Sequence, residues 1–161
     1  MNAAIWLLTF LFFTTPSRSE DKWPIEIKES VSKVQKNITG NLGIYVKEIP
    51  DGPELKIDSD RYWYLASTVK VPVAIVLLKG VERGEYSLSR TLTVNESDFL
   101  DGTGDLRLAG PGRRYSLKTL LEKMIMHSDS TAADTLIRFI GEERLNDELS
   151  SLTKGFGKVT S

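Results

Sequence analysis

Residues 62–84 read YWYLASTVKVPVAIVLLKGVERG, and this stretch organises the rest of the chain. From about residue 68 to residue 83 it predicts a strongly apolar helix, with Gly84 placed to terminate it. Pro72 lacks a backbone donor and is tolerated only near a helix start. Regular helix therefore begins around Thr68 and leaves Ser67 at its mouth. There, unpaired amides and the positive end of the helix dipole favour developing negative charge. Side chains three apart share a helix face, so the Ser67 hydroxyl and the Lys70 amine come within hydrogen-bond reach. A lysine that loses its proton through burial or nearby positive charge can draw the proton from a serine hydroxyl. The S-x-x-K spacing occurs four times, at Ser19/Lys22, Ser30/Lys33, Ser67/Lys70 and Ser151/Lys154, where composition predicts roughly one match by chance. Ser30 and Ser151 lie on amphipathic or polar helices, where a solvated face accounts for them. Only Ser67 lies between an aromatic-apolar approach, residues 62–65, and a buried helix. On spacing alone a plain helix cap beside a surface lysine is the commoner arrangement, and it stays open.

Working outward, Ile27, Val31, Val34 and Ile38 recur at helical spacing, with Pro24 in a first turn and Gly40 at the end. Residues 42–49 are strand-like, Asp51-Gly52 between prolines is a turn, and residues 54–58 can return antiparallel. Residues 85–115 show little period. Their glycine-rich patches, 102–104 and 110–112, lack the Lys-Ser or Lys-Thr of a phosphate loop and read as loop. Ser116 caps a helix with the apolar face Leu117, Leu120, Leu121, Met124 and Ile125. A break follows at Ser128-Asp129-Ser130. The next helix carries Ala133, Leu136, Ile137 and Ile140 inward and ends at Gly141, and residues 143–152 form one more.

Composition narrows the function classes. The 161 residues hold 21 Lys plus Arg and 22 Asp plus Glu, a net charge of −1, which is no electrostatic footprint for nucleic acid or an anionic membrane. Without cysteine there is no disulfide frame, thiolate zinc site or thiol nucleophile. The single histidine leaves no imidazole cluster, and the carboxylates show no ligand spacing, so neither a metal nor an organic cofactor is expected. Residues 3–13 are apolar except for Thr9. That is too short to span a bilayer core, which needs roughly 20 residues, but it suits a secretory signal. Ser17 and Ser19 supply small residues for cleavage after Ser19, although the basic leader is missing. The expected organisation is a signal peptide over 1–19 and one domain over 20–161. The mature chain is expected in the periplasm or secreted, without stable membrane insertion.

Ser128-Asp129-Ser130 interrupts two helices, so its side chains cannot all point at solvent. Met124-Ile-Met-His-Ser128 precedes it and Thr131-Ala-Ala-Asp-Thr-Leu136 follows it. With the S-x-x-K motif upstream, the chain resembles the class A serine β-lactamases and their penicillin-binding relatives, whose sites combine S-x-x-K, S-D-N and K-T-G. The likeness covers about residues 25–161, with helix, hairpin, nucleophile helix, loop region, S-D-N-type loop and following helix in the family's order. It implies an α/β (α+β) fold, an antiparallel sheet flanked by helices, of which only the N-terminal hairpin and the helical region are expected here.

The resemblance also implies roles. Ser67 would attack the carbonyl of a β-lactam ring and form an acyl-enzyme, its backbone amide supplying half of the oxyanion hole. Lys70 would be the base or would support the base electrostatically. Ser128 would relay a proton to the departing ring nitrogen, and Asp129 would brace the turn. Ser130 stands where the family usually has an asparagine that holds the substrate's amide side chain. Its hydroxyl is shorter and presents one donor rather than two. A Ser-His-Asp triad using His127 is disfavoured. His127 adjoins Ser128, sequence neighbours on a helix point about 100° apart, and no G-x-S-x-G elbow is present.

In the resembled family a deacylating glutamate and the K-T-G strand lie beyond the position of Ser161, and Lys154-Gly155 does not replace that strand. The expectation is an N-terminal part of such a domain, a monomer whose substrate is a small β-lactam or a peptidoglycan-like molecule. A polypeptide ending at Ser161 is expected to show little or no turnover of a chromogenic cephalosporin, and rapid hydrolysis would contradict this. Two other readings remain: a penicillin-binding D-Ala-D-Ala peptidase or other serine acyl hydrolase of the same fold, and an inactive remnant.

Overall fold

Pro24 opens α1, Trp23–Gln35, as its missing N–H allows in a first turn. The computed structural model describes residues 22–99, 101–153 and 159. The signal segment 1–19 and the Lys154-Gly155 pair lie outside the described residues. Contacts divide the chain into two compact units, Met1–Trp63 and Tyr64–Ser161. In the first, Ile27 and Val31 of α1 are half-buried, but Val34 and Ile38 are exposed. The helix stops at Gln35, short of Gly40. The Asn37 N–H bonds the Val34 carbonyl at 2.9 Å and its side-chain amide bonds the Lys33 carbonyl at 3.1 Å, closing the last turn. β1, Ile44–Lys47, pairs antiparallel with β2, Glu54–Ile57, with Ile44 opposite Ile57 and Lys47 opposite Glu54. The strands are shorter than the sequence pattern suggests because the turn absorbs their ends. The Glu48 N–H bonds the Pro53 carbonyl at 3.1 Å and the Gly52 N–H bonds the Glu48 carbonyl at 3.0 Å.

The second unit opens with a 3-10 turn, Ala66–Val69, that runs into α2, Lys70–Glu82. Regular helix thus starts two residues later than the expected Thr68. The expected buried helix is buried on one side. α2 buries Val73, Ala74, Val76 and Leu77, whereas Val71, Ile75 and Leu78 are 55%, 44% and 44% exposed. Those three recur at helical spacing along one apolar stripe.

Residues 85–116, a stretch of little sequence period, contain four small elements. β3, Thr91–Thr93, pairs antiparallel with β4, Arg114–Ser116. Between them lie a 3-10 turn, Glu96–Asp98, and a one-turn helix α3, Leu106–Ala109. Elements of three or four residues are too short for a hydrophobic period to register. Buried Asp98 ties this region to a later helix, accepting from Arg138 Nε at 2.7 Å, Arg138 Nη2 at 2.8 Å, Thr135 Oγ1 at 3.0 Å and the Asn95 N–H at 2.8 Å. Burial alone would raise its pKa, but these donors together hold it below the ordinary carboxylate range.

α4, Leu117–Met126, begins at the expected cap, with Ser116 Oγ accepting the Thr119 N–H at 3.1 Å. α5, Ser130–Ile140, and α6, Glu142–Leu152, follow. Leu77, Leu117, Leu120, Met124, Leu136 and Leu145 are fully buried together, joining α2, α4, α5 and α6. Each such side chain contributes about 1.5–3 kcal/mol of burial free energy. The fold is α/β, with two small antiparallel sheets and a predominance of helix. No described helix is long and apolar enough to cross a membrane.

Candidate active site

The helical spacing of Ser67 and Lys70 delivers the expected proximity, at 3.2 Å between Lys70 Nζ and Ser67 Oγ. Packing of α2 against the turn between α4 and α5 adds the distant group. Ser128 Oγ donates to Ser67 Oγ at 2.9 Å and accepts from Lys70 Nζ at 3.0 Å, although 61 residues separate the two serines. The amine also donates to the Ser128 carbonyl and reaches Ser130 Oγ at 3.4 Å. Two hydroxyls and one amine therefore form a closed triangle. Ser67 is exposed at the helix mouth, while only 6% of Lys70 reaches solvent. Loss of hydration lowers the Lys70 pKa, and the carboxylates of Asp129 and Asp134 partly offset that effect. The 3.2 Å contact can carry a proton either way. An ammonium donates to Ser67 Oγ, and a free amine accepts the Ser67 proton.

The backbone is strained next to Ser67 and at Ser128. Ala66, just before Ser67, and Ser128 itself adopt left-handed φ values of 46° and 53°. Such conformations cost about 1–3 kcal/mol in a residue with a Cβ and persist only where the surroundings over-determine them. Asp129, fully buried, does much of that around Ser128. Its Oδ1 accepts the Ala132 N–H at 2.9 Å, capping α5, and its Oδ2 accepts the Asp105 and Leu106 N–H groups at 2.8 and 3.0 Å. The carboxylate thus joins the start of α3 to the start of α5 and fixes the turn that presents Ser128.

Residues 102–104, assigned to loop with no further role, form the other wall of this turn. Thr103 Oγ1 donates to the Ser128 carbonyl at 2.6 Å, and the Thr103 carbonyl accepts the Ser130 N–H at 2.8 Å. Gly104 has φ +112°, and a Cβ there would lie 2.2 Å from the Asp129 carboxyl and 2.6 Å from its Cα. A Cβ on Gly102 would lie 2.2 Å from Ser130 Oγ. The flanking glycines of Gly102-Thr103-Gly104 are the visible signal of a close backbone approach. What they approach is not encoded locally. His127 is the exposed C-cap of α4 and bonds neither serine among the described residues. No group of His, Cys, Asp and Glu that could hold a metal occurs among the described residues.

A model of the beta-lactamase enzyme family matches residues 26–155. An extended-spectrum beta-lactamase, PER-1 of Pseudomonas aeruginosa, is 25% identical over 154 residues, covering 93% of this chain and 48% of the relative. The beta-lactamase of Sphaerobacter thermophilus superposes with a TM-score of 0.74 at 26% identity, covering 88% of this chain and 52% of that one. A mutant of PBP-A, solved as an acyl-enzyme complex with penicillin G, gives a TM-score of 0.75 at 27% identity over 86% of this chain and 52% of that one. The chain spans about half the length of the curated relatives it matches.

Proposed function

Because this chain belongs to the beta-lactamase enzyme family, we propose that it carries the acylating half of a serine β-lactamase-type hydrolase, with Ser67 as nucleophile. The observation that carries the reading is the triangle of Ser67 Oγ, Lys70 Nζ and Ser128 Oγ. Lys70 as free amine takes the Ser67 proton as Oγ attacks the β-lactam carbonyl. The Ser67 N–H, in the turn ahead of α2, donates to the developing oxyanion. Collapse of the tetrahedral adduct breaks the ring C–N bond. Ser128 gives its proton to the departing nitrogen and regains one from the Lys70 ammonium, which returns the amine to its starting state. Water then hydrolyses the Ser67 ester. Ser130 stands where the substrate's amide side chain is held, and with one hydroxyl donor it holds that group more weakly than an amide does. Asp129 acts through the turn rather than on substrate. Residues 1–19 serve export, placing a monomeric mature chain in the periplasm or outside the cell, where β-lactam degradation confers antibiotic resistance.

Mass spectrometry after exposure to benzylpenicillin tests this reading. Ring opening expels nothing, so the folded chain should gain the full mass of the penicillin, mapped by peptide digestion to Ser67. Ser67→Ala should gain none. Absence of an adduct on the folded parent would favour a catalytically inactive member. The likeness to PBP-A supports a second reading, a penicillin-binding D-Ala-D-Ala peptidase. Prompt release of the adduct favours the lactamase, and long retention favours the peptidase.

A further inference from the structure

The Ser128 carbonyl is held from two sides. Lys70 Nζ donates to it from α2, and Thr103 Oγ1 donates to it at 2.6 Å from the loop ahead of α3. A carbonyl oxygen has two lone pairs, so both are engaged. Thr103 makes a second contact through its own main chain, where its carbonyl accepts the Ser130 N–H at 2.8 Å. One residue therefore grips the chain on either side of Asp129. The grip depends on Gly102 and Gly104, because a Cβ on either would lie 2.2 Å from Ser130 Oγ or the Asp129 carboxyl. Thr103 is the member of Gly102-Thr103-Gly104 that brings a side chain, and its β-branch limits the hydroxyl to few rotamers.

Ser128 needs such a grip. Its left-handed φ of 53° is strained and persists only under restraint. Lys70 is an inconstant restraint, because in the proposed chemistry it gains and loses a proton within each acylation. A hydrogen bond from a charged donor is about twice as strong as one from a neutral donor, so the pull of the amine on the Ser128 carbonyl changes during the reaction. The Thr103 hydroxyl stays neutral and outside that proton traffic. We infer that Thr103 is a positioning residue: its hydroxyl keeps the Ser128 main chain fixed while Lys70 changes charge, so that Ser128 Oγ stays 2.9 Å from Ser67 Oγ and 3.0 Å from Lys70 Nζ. This rests on the reading of those three groups as the acylating triangle.

The test compares the folded parent with Thr103→Val, which keeps the shape and removes the hydroxyl, and with Thr103→Ser, which keeps the hydroxyl. Acylation by benzylpenicillin is followed over a range of concentrations. Thr103→Val is expected to lower the limiting rate constant about tenfold and leave the half-saturating concentration unchanged, and Thr103→Ser to restore most of the rate. A second reading needs no β-lactam. His127 is the chain's single histidine, so 13C-carbonyl histidine combined with 15N serine marks the Ser128 amide alone in an NMR spectrum. A left-handed φ brings that N–H close to its own Hα and gives a strong nuclear Overhauser effect, which should weaken in Thr103→Val and return in Thr103→Ser. An unchanged effect overturns the inference, as does acylation of Thr103→Val at the parent rate or a change confined to the half-saturating concentration. Should Thr103→Val not fold, Thr103→Ala carries the same two readings. A parent chain that takes no penicillin while its Ser128 amide responds to Thr103→Val sinks the proposed acylation and leaves the positioning role of Thr103 standing.

Discussion

Lys70→Met is expected to slow penicillin acylation of Ser67 by about 10²–10⁴-fold, the range in which a positioned general base contributes. Methionine has nearly the same length and is apolar, so it fills the buried channel without a charge. It removes the amine that touches both Ser67 Oγ and Ser128 Oγ. The turn should survive, because the Ser128 carbonyl keeps the Thr103 hydroxyl at 2.6 Å after the lysine is gone. The cost of dehydrating a buried amine is also relieved, so thermal stability should hold or rise. The rate at which the penicillin adduct accumulates, followed by mass spectrometry at neutral pH, separates the two effects. Acylation of Lys70→Met at the parent rate would remove Lys70 from the chemistry and reduce it to a buried structural cation.

The second large effect concerns stability. Asp129→Ala deletes a fully buried carboxylate that accepts three backbone N–H groups, two at the start of α3 and one at the start of α5. Each buried donor left without a partner costs about 1–3 kcal/mol, and α5 loses its cap besides. The expected loss is about 3–5 kcal/mol in urea unfolding, large against the total stability of a small domain. The thermal midpoint should fall by about 10 °C or more. Asp129→Asn keeps one acceptor oxygen and should fall between. The residual folded population of Asp129→Ala should also acylate slowly, because Ser128 at φ 53° loses the clamp that holds its conformation. A variant within about 0.5 kcal/mol of the parent would show that the carboxylate is incidental.

The helix boundaries illustrate how far local pattern reaches. Ser116 as the cap of α4 and Gly141 at the end of α5 are legible because capping is decided within one turn of chain. The exposed stripe Val71, Ile75 and Leu78 was not legible, since an apolar helix looks the same in sequence whether or not its second side is covered. The paired three-residue strands β3 and β4 were lost in a stretch without period. Thr103 was likewise invisible as a partner of the site. A loop threonine has no local feature that says which distant carbonyl it meets.

The Ser67–Lys70 pairing belongs to the sequence alone: side chains three positions apart on a helical turn share a face by backbone geometry, whatever else the chain does. The same holds for the break at Ser128-Asp129-Ser130, where two amphipathic patterns stop and restart. Tertiary structure decided that the break closes on the turn. It set the 2.9 Å between Ser67 and Ser128 hydroxyls and pressed residues 102–104 against Asp129. Those distances depend on how α2, α4 and α5 bury Leu77, Leu120 and Leu136 together. Burial is non-directional and acts through the whole core, so no short window of sequence contains it.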